Sequence, residues 1–383
     1  TRVAGRLRRA LHPAEALLRL GGDEFALVVP RVASPSVAHS RAEVLLAALD
    51  EPFELGNRVE RVRTSVGVAT TADPDHVDAL LSEADIAMYE AKRQGGDAAV
   101  LYESSLDASS TRIARLTRAL RDADYDSQFS VVYQPIVTID GDKIVGLEAL
   151  LRWISPDFGS VTPGEFIPIA EECGEICAIG EWVLTTVSAQ IAEWIELRIE
   201  PSISVSFNVS PRQLAQPRFV SGVLATAQQW SIPPERLVIE VTESTALDHA
   251  GTAIARLEQL RAEGFQISVD DFGSGYSNLG QLLRVPFDVI KIDRSLLLTL
   301  SEMREQAGDD PTSPCAIMEA IVSIAAVLDA PVICEGVETE LQRASLKASG
   351  LTYVQGYLTG RPLPAATITP RLRATALASM TSR

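Results

Sequence analysis

Apolar positions along this chain switch between helical and strand periods, and the switches divide the sequence into segments. They recur at helical spacing over Val3–Leu11 and Val77–Arg93, while Glu24–Val29 and Arg61–Val68 read as strands. The polar stretch that follows carries "RIARLTRAL", with apolar residues again at helical spacing, and predicts a linker helix over 104–127. From Phe129 onward one theme repeats: an apolar strand ends on a polar residue and an amphipathic helix follows. "KIVGLEALLRW" precedes helices from Pro163 to Ile195, "SISVSFNVS" precedes "FVSGVLATAQQW", and "RLVIEVTES" precedes "HAGTAIARLEQLRAEG". "FQISVDDFGSG" leads to "SNLGQLLR", and "FDVIKIDRS" leads across a polar loop at 301–314 to "CAIMEAIVSIAAVL". "PVICEGVE" with "ELQRASLKASG", then "TYVQGYL", close the series.

Alternation of this kind predicts an α/β fold with a parallel sheet closed as a (β/α) barrel; an open doubly wound sheet is the alternative. The Gly-Asp turn inside "FSVVYQPIVTIDGDKIVGLEALLRW" predicts a hairpin, hence an irregular, TIM-like (β/α)8 barrel with an antiparallel first strand. The predicted organisation is a partial α/β domain over 1–103, the linker helix, a barrel domain over 128–370 and a tail over 371–383.

Composition narrows the partners. With 51 acidic against 34 basic residues, the net charge of -17 repels phosphate polymers and anionic membranes, so no nucleic-acid polymer is expected. A small phosphorylated ligand stays open if cations offset its charge. The longest apolar run, from Ala320, is broken by Asp329 and is too short to span a bilayer, and no signal peptide is visible. The chain opens at Thr1 inside a helical pattern, which implies upstream sequence, including a possible membrane anchor in a longer parent. Cys173 and Cys177 lie one helical turn apart with no second Cys or His pair, so they are expected, with Cys315 and Cys334, to be buried free thiols in a reducing cytoplasm. His12, His39, His76 and His249 sit in polar or turn-like contexts and do not suggest a histidine-built site.

Barrel enzymes place chemistry where strands run into the following loops. The polar residues expected at strand ends are Glu148, Asn208, Glu240, Asp270 with Asp271, Lys291, Glu335 and Gln355. Hard oxygen ligands of this kind suit Mg²⁺ or Mn²⁺ better than Zn²⁺ or Cu²⁺. Asp270 and Asp271 point to opposite faces if their strand stays regular, and can turn toward one metal cluster if it ends there. Gly273 and Gly275 then permit unusual dihedrals in the next loop. Lys291, between Ile290 and Ile292, either orients an attacking water or snorkels to solvent. Arg152 is placed for a bidentate phosphate contact or for an exposed ion pair.

Together, "YQPIV", "GLEALLRW", "FNVS", "VIEVTES", "DDFGSGYSN", "VIKIDRS", "EGVET" and "QGYLTGRPL" resemble the EAL family of cyclic-di-GMP phosphodiesterases, from about Phe129 to Pro364. The resemblance implies a barrel with two divalent cations, Mg²⁺ or Mn²⁺, that opens cyclic di-GMP to linear pGpG. By motif it makes Glu148, Asn208, Glu240 and Asp270 ligands of the first metal, with Asp270 and Asp271 serving the second. Lys291 and Glu335 would position the water, with Asp271 also in the catalytic set, and Glu243 would brace the adjacent loop. Arg152, Gln134, Leu150, Gln355, Asp293 and Glu338 would surround the substrate. Ser274 and Asn278 depart from the family's usual Thr and Ser. A homodimer through the EAL domain is implied as well.

The N-terminal "RLGGDEF", "TSVGVAT" and "ADIAMYEAKRQGG" resemble the later part of a GGDEF diguanylate cyclase domain, with Asp23 as its metal-binding acid. That family also needs an upstream strand with a second metal-binding aspartate, which this sequence lacks. Gly96 stands where the family often has an arginine, and His12-Pro13-Ala14-Glu15 replaces the inhibitory RxxD site. Cyclase activity is therefore not expected here. Two other functions compete with hydrolysis: a receptor that binds cyclic di-GMP unchanged, and a bifunctional cyclase and phosphodiesterase in a longer parent.

Overall fold

The computed structural model describes residues 2–55, 58–73, 76–93, 96–141, 143–199, 203–243, 245, 252–273, 285–299 and 314–381. His249, the Cys315 side chain, Ser274, Gly275, all of "SNLGQLLR" with its Asn278, and the loop expected at 301–314, up to residue 313, lie outside the described residues. The chain divides into two compact units, Thr1–Arg118 and Ala119–Arg383, with the division falling inside the helix Ser105–Arg121.

In the first unit β1 (Ala16–Gly21) and β2 (Glu24–Val28) form an antiparallel hairpin. β3 (Phe53–Leu55) pairs antiparallel with β4 (Arg58–Glu60), and β5 (Val66–Val68) pairs parallel with β6 (Ala99–Leu101). Leu7, Leu45, Leu49 and Phe53 form the buried centre, and Leu17, Phe25 and Leu27 of the hairpin pack on it. The helix Pro35–Asp50 starts on Ser34, whose side chain accepts from the Val37 N–H. Arg41 clamps Glu15 through two bonds of 2.7 and 2.6 Å, and the guanidinium holds the Glu15 carboxyl down at about 2. The strand expected from Arg61 begins only at Val66, because the Thr64 N–H turns to Asp97 Oδ1 at 3.2 Å and not to a ladder partner.

The second unit contains β7 (Phe129–Thr138), β8 (Ile144–Ser155), β9 (Gly159–Val161), β10 (Ser204–Asn208), β11 (Leu237–Thr242), β12 (Gln266–Phe272), β13 (Val289–Ile292), β14 (Val332–Cys334), β15 (Tyr353–Gln355) and β16 (Leu363–Pro364). β8, β10, β11, β12, β13, β14 and β15 are paired parallel in that order. β7 runs antiparallel to both β8 and β15, which closes eight strands into a barrel and excludes the open sheet. The parallel strands are apolar runs because helices or neighbouring segments cover their outer faces: Val205, Phe207, Ile239, Val241, Ile267, Val269 and Ile292 are all buried.

The expected helical stretch from Pro163 to Ile195 is two helices, Pro163–Cys173 and Ile176–Glu196, separated at Gly174 with φ +88°. This break leaves Cys173 and Cys177 half-exposed, so the expectation of buried thiols fails for both; Cys334 is buried, and burial pushes its thiol up to about 12. Ile179, Val183, Val187, Ile191 and Trp194 follow the helical period into the core. At the hairpin end of the barrel Phe129 stacks on Trp153 at 5.8 Å and meets the edge of Phe166 at 5.9 Å. Trp194 packs on Tyr133 and donates to Thr369 Oγ1 at 2.9 Å, which pins a single closing helix, Ala365–Thr381.

Candidate active site

The inward positions of successive strands build one polar cluster. Gln134 comes from β7, Glu148 from β8, Asn208 from the end of β10, Glu240 from β11, Asp270 from β12 and Lys291 from β13. Glu335 follows β14 by one residue, and Gln355 ends β15. Strand register sets these groups side by side: Gln134 lies opposite Glu148, and Asn208 opposite Glu240. Glu148 was expected at a strand end, but it lies in mid-strand. β8 runs on well past Glu148 because β7 pairs with it as far as Trp153 and β9 as far as Ser155.

Lys291 is the hub. Its ammonium has no solvent exposure, which rules out snorkelling. Nζ lies 2.5 Å from Glu335 Oε1, 3.0 Å from Glu240 Oε1, 3.3 Å from Glu148 Oε2 and 3.7 Å from Asp270 Oδ1. With every group ionised, four carboxylates against one lysine leave a formal charge of -3. Burial without full compensation is costly for a carboxylate, so protons are retained. Burial drives Glu240 well above the usual carboxylate range despite the lysine, raises Asp270, and brings Glu335 to about 7. Burial opposes the charge on Lys291, but the surrounding carboxylates prevail and hold its ammonium well above the ordinary range.

Amides order the acids. Gln355 Nε2 donates to Glu148 Oε2 at 2.5 Å and to Gln134 Oε1 at 3.3 Å. Asn208 Nδ2 donates to Glu148 Oε1 at 3.0 Å, which leaves its Oδ1 as a ligand atom. Carboxylate oxygens of Glu148, Glu240 and Asp270 lie within 4.8 Å of one another. Glu240 Oε2 is buried with no hydrogen-bond partner among the described residues. An excess of buried negative charge, converging oxygens and an orphaned carboxylate oxygen fit a hard divalent cation.

Asp271 is presented differently from the sequence expectation. β12 does not end at Asp270; it runs to Phe272 through a register shift, and Asp271 takes φ +58° within it. The bulge turns the second acid without ending the strand, and the Asp271 N–H donates to Asp270 Oδ1 at 2.9 Å. Burial, then the neighbouring Asp270, raise the Asp271 carboxyl to about 6.

The outer residues are less uniform. Arg152 is half-buried and donates to the Leu151 carbonyl at 2.8 Å; burial pulls its guanidinium below the ordinary range, with the neighbouring Glu148 opposing the shift. Leu150 is half-buried. Asp293 accepts from the Ser295 N–H at 2.7 Å and adds to the negative field at Asp271. Glu243 is buried just past β11, beside a Thr242–Thr245 hydroxyl bond of 2.7 Å. Glu338 is exposed and pairs with Arg294 at 3.0 Å. Two residues that the sequence did not single out complete the rim, Tyr357 and Arg361, with the guanidinium 4.1 Å from the ring centroid. Their signal was an aromatic residue and an arginine four apart, just after Gln355.

The arrangement is that of a closed barrel with an acid-and-lysine cluster in its mouth, a site for metal-assisted chemistry whose ligand candidates among the described residues are carboxylates. Residues 115–362 match the family described as EAL domain, and residues 1–98 match the one described as diguanylate cyclase, GGDEF domain. The chain belongs to the EAL domain family. It is 38% identical over 364 residues to the bifunctional diguanylate cyclase/cyclic di-GMP phosphodiesterase MucR of Pseudomonas aeruginosa, covering 95% of this chain and 52% of that protein. It is 34% identical to the cyclic di-GMP phosphodiesterase PdeR of Escherichia coli, covering 92% of this chain and 51% of that protein. The solved PaMucR phosphodiesterase in complex with c-di-GMP superposes with a TM-score of 0.60 at 39% identity, covering 66% of this chain and 99% of that one. The chain thus spans about half the length of these curated relatives. Among the described residues no helix is long and apolar enough to cross a membrane.

Proposed function

We propose that the barrel hydrolyses cyclic di-GMP to linear pGpG with two divalent cations, Mg²⁺ or Mn²⁺. The observation that carries this is the convergence of Glu148, Glu240 and Asp270 on one point beside a fully buried lysine. Glu148, Asn208, Glu240 and Asp270 would hold the first cation, and Asp270 with Asp271 the second. Such a pair supplies an activated water and neutralises the leaving oxygen of an in-line displacement. Lys291 donates to the attacking water through Nζ, and Glu335, 2.5 Å away, fixes that ammonium in place. Water oxygen bonds to phosphorus as the bond to the 3′ oxygen breaks; the water's proton is lost and the 3′ oxygen gains one. Arg152 faces the phosphate, and Gln134, Leu150, Gln355 and Asp293 shape the pocket. Glu338, held on Arg294, supports the site, while Glu243 braces the loop after β11.

An acidic chain can hold a dianionic nucleotide only if cations offset the charge, which also supports the reading. Cytoplasmic location and pairing of barrels in a homodimer belong to the same proposal; a bifunctional cyclase and phosphodiesterase in a longer parent is the alternative to it. Chromatography of cyclic di-GMP incubated with the chain and Mg²⁺, alongside Glu148→Ala, tests it. The expected result is pGpG from the wild type only. Tight binding with no pGpG would establish a receptor, and equal product from both chains would overturn the site.

A further inference from the structure

The barrel interior continues below the acid cluster, and strand register gives its next layer. Glu148, Glu240, Lys291 and Gln355 come from alternate strands, β8, β11, β13 and β15, as the members of one layer in a closed barrel do. Each has a partner in register on the next strand around the barrel: Ser206 beside Glu148, Ser268 beside Glu240, Ile333 beside Lys291 and Ile136 beside Gln355. Residues in register share a face of the sheet, so these four also point inward, and strand tilt sets them one step deeper. All four are buried. Such layers are ordinarily filled by bulky branched side chains, as Ile333 and Ile136 fill theirs. The two serines break that rule. They sit on β10 and β12, the strands on either side of β11, and so flank Glu240 from below. Neither the Ser206 nor the Ser268 hydroxyl has a hydrogen-bond partner among the described residues, and nor has Glu240 Oε2. The inward position below Glu148 on β8 is Gly146, where a Cβ would lie 3.6 Å from Ile136 Cδ1 and from Ser204 Oγ, so the space under the serines is widened as well.

We propose that Ser206 and Ser268 hold one buried water beneath Glu240, and that through it they are positioning residues for a metal-ligating carboxylate. The proposal rests on the reading of Glu148, Glu240 and Asp270 as metal ligands. Two donors without an acceptor and one acceptor without a donor, at adjoining register positions, are reconciled by a single water. It accepts from both hydroxyls and donates to Glu240 Oε2, a set of partners ordinary for an internal water. A carboxylate oxygen has two lone pairs, so Oε2 can take the water from below and still face a cation above. Lys291 holds the other oxygen, Oε1, at 3.0 Å. With both oxygens tied, the plane of the carboxylate is fixed before any cation arrives. Groups that orient a metal ligand from behind are worth about 10–100-fold in metal affinity. Hydroxyls that were simply bare in this layer would be a net cost, and removing them would do no harm.

The test reads Mn²⁺ binding by electron paramagnetic resonance in the absence of substrate. The double variant Ser206→Ala/Ser268→Ala is expected to bind Mn²⁺ about tenfold more weakly, and to need about tenfold more Mn²⁺ for half-maximal turnover. Ile333→Val changes packing in the same layer without removing a hydroxyl, and is expected to leave the affinity unchanged. A crystal structure of the metal-free wild type should show the water within hydrogen-bond distance of both hydroxyls and of Glu240 Oε2. That structure decides the matter even if the double variant fails to fold: hydroxyls bonded elsewhere, or a dry layer, would overturn the proposal. Unchanged Mn²⁺ affinity in a folded double variant, or an equal loss in Ile333→Val, would overturn it too. Failure of the parent reading looks different. A wild type that binds Mn²⁺ but releases no pGpG sinks the enzyme, yet the double variant must still lose affinity. A wild type that binds no Mn²⁺ overturns both.

Discussion

The hairpin Leu18–Val28 and the barrel cluster are opposite ways of displaying acidic residues. At the hairpin tip Asp23 is exposed, Gly22 takes φ +46°, and Arg19 turns to its own turn's carbonyl at Gly22. Leu18, Leu20 and Val28 are each about half exposed on the same ribbon. In the barrel Glu148, Glu240 and Asp270 are buried around a lysine with no exposure. An acid in water keeps its ordinary chemistry, whereas acids crowded in a low-dielectric interior hold protons, attract cations and gain reactivity. The sequence is loudest where the groups are solvated and quieter where they are concentrated.

The largest expected contrast is in turnover. Glu240→Ala should lower pGpG formation by at least about 100-fold, the scale of losing a charge-stabilising group, while Asp23→Ala should leave it unchanged. Chromatographic assay of both variants at saturating Mg²⁺ decides the point. A similar loss from Asp23→Ala would erase the distinction between the two regions. Next is the lysine: Lys291→Met should destabilise the metal-free chain by about 3–5 kcal/mol, since it leaves buried carboxylates uncompensated, and urea unfolding measures this. Mn²⁺ or Mg²⁺ should support turnover and Ca²⁺ alone should not, because Ca²⁺ prefers longer bonds and more ligands. Full activity with Ca²⁺ as the sole cation would break the proposed metal geometry.

The two regions should also respond to pH with opposite signs. Asp271 and Glu335 have folded values raised from 3.8 and 4.5 to about 6 and about 7, so the native state binds more protons than the unfolded state. Stability of the metal-free barrel therefore falls as pH rises from about 4 to about 7. Glu15, depressed from 4.5 to about 2, contributes stability that is present above its unfolded value and lost as pH falls toward 2. Hydrogen exchange resolved by region should show slopes of opposite sign, and Glu335→Gln should flatten the barrel's. The smallest effects should be equal in both regions: Ser34→Ala and Thr339→Ala each remove a helix cap, at about 1 kcal/mol. A much larger loss at Thr339 would tie its capping box to the site.

Much of this was legible because period and strand-end polarity are local signals. Glu148, Glu240, Asp270 and Lys291 could be picked out one by one, and their convergence follows once the strands close. What was not legible depended on partners. Glu148 looked like a strand end because nothing local shows that β7 and β9 will carry β8 well past it. The left-handed turn at Asp271 has no mark in a period-two pattern. Lys291 between two isoleucines could be buried or snorkelling, and only the four carboxylates from other strands decide it. Residues 61–65 have the composition of a strand, but the Thr64 N–H is taken by an aspartate 33 residues away.

Closure of the barrel by β7 also bears on how the protein is made. Gln355 reaches Glu148 and Gln134 across 207 and 221 residues of sequence, so the first and last strands meet only when both exist. Pairings this distant form late, because the loop must be closed before the contacts can reward it. A chain emerging from the ribosome would carry Glu148 early, but its partner Gln355 would arrive only after more than two hundred further residues were synthesised. Until then the acids lie on an unclosed sheet, and a growing polypeptide interrupted before β15 should be inert toward its substrate and vulnerable to aggregation at the open edges.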